Sequence, residues 1–139
     1  MARIGKFVVF IGAFAMLASA CSKGGGTITI NGEKANDHGT KTVSGSTFTL
    51  EADNEGSKFY FDPTVLKGAP GQKVTIIVKN VGNTKHNFTI EGEKINQDVN
   101  TPGTSAPGVT VTWPQSGIIE FHCEYHATLG MVGELEAST

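Results

Sequence analysis

Near the end of the chain, the segment Phe121-His122-Cys123-Glu124-Tyr125-His126-Ala127-Thr128-Leu129-Gly130-Met131 carries a thiol, an imidazole and a thioether as Cys-x2-His-x4-Met. A second imidazole, His86, heads the strand-like run His86-Asn87-Phe88-Thr89-Ile90, 37 residues before Cys123. For these groups to act together, the fold must set two distant strands side by side and hang a short loop beyond one of them. No other feature limits the chain as much. Two imidazoles and a thiolate, with methionine as a weak axial ligand, form the donor set of a blue-copper site. Soft sulfur favours Cu(I) and imidazole accepts both oxidation states, so the set suits an ion that cycles between them.

Parity supports a joint site. His86, Phe88 and Ile90 share one face of their run, and Ile119, Phe121 and Cys123 share one face of Ile118 to Cys123, so both ligands lead or end a row of core residues. His122 has the opposite parity and should point away. Lys73 to Asn80 is the clearest strand, with Val74, Ile76 and Val78 alternating. Further strands are expected over 27–30, ending at the turn signal Asn31-Gly32, and over 47–52, 58–61, 108–113 and 132–136. Residues 33–42 are polar and patternless, with His38 expected as an exposed loop histidine. Val65-Leu66 lies in a connection punctuated by Pro63, Gly68, Pro70 and Gly71, and 93–106 forms a long loop. Seven or eight short strands and no convincing helix imply an all-β, two-sheet Greek-key β-sandwich.

The ligand segment resembles the copper loop of cupredoxins, with the spacing of the plastocyanin and pseudoazurin branch. The resemblance runs from about Phe59 to Glu136 and includes the Pro63 to Val78 lead-in. Carried over position by position, it implies His86, Cys123, His126 and Met131 as the ligands of one type 1 copper. It implies Asn87 as the asparagine that ties the two ligand segments together. Tyr125 stands where plastocyanins and pseudoazurins usually have proline, and His122 where plastocyanins commonly have an aromatic residue and amicyanin-like members a histidine. These departures leave the subfamily open. The family pattern also implies that His126 lies near the surface among Ala127, Leu129 and Gly130.

The first twenty residues read as a signal peptide: a basic Met1 to Lys6, an apolar Phe7 to Leu17, and the small-residue site Ala18-Ser19-Ala20. Leu17-Ala18-Ser19-Ala20-Cys21 also resembles a bacterial lipobox, imperfectly because Ala18 replaces leucine, and implies lipidation of Cys21. Residues 21–26 then form a flexible tether and 27–139 the copper-binding domain. The expected location is extracytoplasmic, in the periplasm or on the outer face of the cell membrane, associated with the membrane through the lipid. A soluble secreted form and an uncleaved anchor are the alternatives. With Cys21 acylated, Cys123 is the one free thiol in an oxidising compartment, which metal ligation explains. A Cys21–Cys123 disulfide is the competing reading.

Removing Arg3 and Lys6 with the leader takes the formal charge from −2 to −4 and leaves no arginine, so nucleic acid is not an expected partner. Zinc fits poorly because structural zinc sites rarely use methionine. A cysteine-nucleophile enzyme would need an oxyanion site and a cleft that nothing in the sequence suggests. The expectation is a monomeric electron carrier, not an enzyme, shuttling single electrons between extracytoplasmic or membrane-bound redox proteins. The alternative is a copper-handling protein for delivery, storage or sensing.

Overall fold

A computed structural model describes residues 25–139. The leader, Cys21 and most of the expected tether lie outside them. Among the described residues the chain forms β1 (Gly26–Ile30), β2 (Glu33–Asp37), β3 (Thr40–Thr42), β4 (Thr47–Glu55), β5 (Lys58–Asp62) and β6 (Val65–Gly68). It continues as β7 (Lys73–Asn80), β8 (His86–Ile90), β9 (Ile95–Val99), β10 (Val109–Thr112), β11 (Ile118–His122) and β12 (Val132–Ala137). Two single 3-10 turns, Glu91–Glu93 and Ala127–Leu129, interrupt the strands.

The expected all-β sandwich is present. One sheet runs β10-β7-β4-β5 and the other β3-β6-β12-β11-β8-β9. The alternation in β7 buries Val74, Ile76, Val78 and Asn80 while the residues between them stay exposed or half-exposed, as a strand with one covered face requires. β7 pairs antiparallel with β10 and parallel with β4. In the other sheet, β11 lies between β12 and β8, both antiparallel to it, and β6 runs parallel to β12. The sheets meet through interlocking rings: Phe61 of β5 stands edge-on to Phe121 of β11 at 5.1 Å and to Phe88 of β8 at 6.2 Å. Trp113, following β10, is buried and donates its indole N–H to the Leu66 carbonyl of β6 at 3.3 Å.

Several elements exceed the sequence expectation. β1 and β2 form a hairpin outside the two large sheets, turned by Asn31 and Gly32, both at positive φ as a type I′ turn demands. Gly26, expected in the tether, begins β1 and pairs with Asp37. The polar stretch 33–42 holds β2 and β3, because one buried residue, Ala35, is enough to seat β2 against a satellite core of Ile30 and Val132. Val65-Leu66 belongs to a pairing strand, and the expected long loop after Ile90 contains β9. Short or polar edge strands lack the apolar alternation that marks their position.

Candidate metal centre

Two neighbouring strands and one loop build the site. β8 carries His86 at its first position, and all five of its residues are buried. β11 delivers Cys123 just past its end, with His122 paired to Thr89 of β8. The Cys123 N–H donates to the Met131 carbonyl at 3.0 Å, which extends the β11–β12 pairing and sets those two residues side by side. Between them the chain folds on itself. The N–H groups of His126 and Ala127 both donate to the Cys123 carbonyl, at 3.0 and 2.8 Å, and those of Leu129 and Met131 to the His126 carbonyl, at 2.9 and 3.2 Å. A loop this thoroughly bonded to itself holds its side chains without a metal.

His86, Cys123 and His126 each offer a donor atom, and these atoms lie within 4.8 Å of one another. Cys123 Sγ is 3.4 Å from His126 Nδ1, and the two imidazole rings stand 5.3 Å apart at 65°. Cys123 and Met131 are wholly buried within the main core. His86 is also without exposure, yet neither ring nitrogen has a hydrogen-bond partner, the one such orphaned side chain among the described residues. Leaving buried polar atoms unpaired is costly, and native structures rarely do so without reason. A metal ion would supply the missing partner. One thiol, two imidazoles and a thioether fit copper better than any harder cation.

The electrostatics agree with a ligand role. Burial, then the neighbouring His126, pulls the His86 pKa down to about 4, so the ring is neutral at ordinary pH. Burial, then Lys85, lowers His126 as well. Burial pushes the Cys123 thiol up, opposed by the backbone N–H groups of Asn87, Tyr125 and His126 that point at its sulfur. The thiol thus stays protonated until a cation draws the proton off, while donors that stabilise a thiolate are already in place.

Asn87 bridges the ligand segments. Its Oδ1 accepts from the Glu124 N–H at 3.4 Å and from Thr89 Oγ1 at 2.5 Å, and its Nδ2 donates to Asn96 Oδ1 and Asp98 Oδ1 at 2.7 and 3.0 Å. Tyr125 takes part in the same network. Its hydroxyl donates to Asp98 Oδ1 at 3.0 Å, and Lys85 Nζ sits 3.8 Å over its ring. His122 points away from the cluster and lies 3.8 Å from Glu120. His38 is no simple loop residue, since it stacks on Tyr60 at 3.3 Å, apart from the metal group.

Two contributors escaped the sequence reading. Phe59 lies flat on His126, with centroids 3.9 Å apart and planes at 9°. Its shared parity with Phe61 was visible, but not that β5 meets the ligand loop at this end. Asn36 joins β5 to the loop through its side chain, and nothing in its polar surroundings marked it out.

The cupredoxin-like domain model matches residues 7–135. The chain belongs to the cupredoxin family. This cupredoxin is 34% identical over 83 residues to plastocyanin A/B of Petroselinum crispum, a match covering 54% of the chain and 84% of the relative. Its fold is similar to auracyanin from Roseiflexus castenholzii, at 19% identity and TM-score 0.52, covering 70% of this chain and all of that one. It is also similar to a copper-containing nitrite reductase from Thermus scotoductus SA-01, at 20% identity and TM-score 0.51. That match takes in 66% of this chain but only 27% of the reductase. At such identities the two structures speak for the fold alone.

Proposed function

We propose that His86, Cys123, His126 and Met131 hold one copper ion, and that the protein carries single electrons between redox partners. The observation that carries this reading is the convergence of three donor atoms, one of them from a buried imidazole whose two nitrogens have no hydrogen-bond partner among the described residues. Bound copper supplies a one-electron couple. The protein's part is to keep the donors still: His86 sits in a fully buried strand, and the loop from Cys123 to Met131 is closed by its own backbone hydrogen bonds. Asn87 ties the loop to β8 and β9. With Met131 as the fourth donor beside these three, the protein fills every position and leaves none open for a substrate, which favours a carrier over an enzyme and over a copper-delivery protein.

His126 is the half-exposed member of the group, whereas His86 and Cys123 are buried. Around it, Leu129 is 51% and Tyr125 37% exposed, an apolar edge suited to brief docking with another redox protein. The leader at 1–20 and Cys21 support work outside the cytoplasm on a lipid anchor. The test is electron transfer to a small redox protein by His126→Gly. The variant should slow and recover with added imidazole. Unchanged transfer without imidazole would remove His126 from the ligand set and from the route.

A further inference from the structure

The loop that carries His126 is braced from outside the sandwich, and the brace centres on Asn36 in β2. Its Nδ2 donates to the Phe59 carbonyl of β5 at 2.8 Å and to the Leu129 carbonyl of the loop at 2.9 Å. Its backbone N–H donates to the Gly130 carbonyl at 2.9 Å, and its own carbonyl accepts from Thr64 Oγ1 at 3.0 Å. Both side-chain partners are acceptors, so only the NH2 group of the amide can face them. Gly130 is shaped to this contact. It sits at φ +93°, and a Cβ there would fall 2.6 Å from Asn36 Nδ2, an approach that only glycine permits.

The two carbonyls joined by this amide belong to the two sides of the Phe59–His126 stack. Phe59 carries the ring that covers the imidazole, and Leu129 is three residues past His126 in the self-bonded loop. The amide therefore sets the gap between the ring and the imidazole beneath it. A flat partner at 3.9 Å restricts rotation of that imidazole, since turning it would drive its edge into the Phe59 face. The N-terminal hairpin, which buries little of its own, thereby acquires a task at the metal group.

We propose that Asn36 is a positioning residue for His126, acting through Phe59 and the Leu129 carbonyl to hold the imidazole in one orientation. The effect on the metal rests on the reading of His126 as a copper ligand; the effect on the ring does not. Asn36→Leu is close in volume and removes both donors. Gln72→Leu is the control, because Gln72 Nε2 also bridges two carbonyls, those of Val43 and Gly45 at 3.1 and 3.2 Å, at the far end of β7.

In metal-free protein, Asn36→Leu should speed amide exchange at Leu129, Gly130 and Met131 by about tenfold, the protection of roughly one hydrogen bond. It should also move the His126 ring signals away from the position that the Phe59 ring current imposes. Gln72→Leu should do neither. In copper-loaded protein, Asn36→Leu and Phe59→Leu should each shift the visible band and the reduction potential, and the double variant should shift no further than Phe59→Leu alone. Unmoved ring signals and unchanged exchange in Asn36→Leu overturn the proposal, as does a strictly additive double variant. Moved ring signals with an unmoved copper band support the brace and take His126 out of the ligand set, so failure of the two readings can be told apart.

Discussion

His86 buries two ring nitrogens that find no hydrogen-bond partner among the described residues, and this residue carries the sharpest energetic consequence of the site. In the unfolded chain its imidazole takes up a proton near 6.5, but in the folded, metal-free protein only near 4. Between those values the unfolded state binds more protons, so stability rises with pH across the window. Metal-free protein should accordingly be fully stable above the window and lose stability as pH falls through it, as denaturant unfolding on either side will measure. His86→Leu should flatten part of this slope, leaving the share due to His126. At neutral pH it should raise metal-free stability by about 1–3 kcal/mol, because the unpaired polar atoms are gone. A wild-type slope retained in the variant would mean that another group titrates there. At this scale the convergence of His86, Cys123 and His126 was legible, since Cys-x2-His-x4-Met and an inward-facing His86 are chemical types in a fixed order. Phe59 and Asn36 were not, because stacking and carbonyl bridging depend on which strand end meets which loop.

The strands divide by how much of their stability comes from an apolar face. β7 was readable end to end because its inward positions are apolar or packed and its outward ones, Ile77 excepted, polar. β2, β3 and β9 were not, since each is short and bears mostly exposed or half-exposed side chains, and pairing to a neighbour rather than core burial holds them in place. The core between the sheets depends on Phe61, whose ring meets Phe88 and Phe121 edge-on from the opposite layer. Phe61→Ala should cost about 3–5 kcal/mol in denaturant unfolding, a large part of an ordinary domain's stability. A cost below about 1 kcal/mol would show that the layers do not meet through this ring.

For the whole molecule, the class of fold followed from short alternating segments, turn residues and the lack of helical periodicity. The strand order did not, because parallel pairs such as β4 with β7 and β6 with β12 join segments that no local signal connects. That order nevertheless makes the site possible: β8 beside β11 brings His86 to Cys123, and β11 beside β12 closes the loop that bears His126. The architecture and the donor group together amount to a framework that holds a copper ion with little room to move. The most direct measurement is the visible absorption spectrum of the Cu(II)-loaded protein beside Cys123→Ser. An intense thiolate-to-copper band, bleached reversibly by reductant and lost in the variant, is the predicted result. Folded, copper-loaded protein without such a band, or a band that survives in Cys123→Ser, would contradict the account.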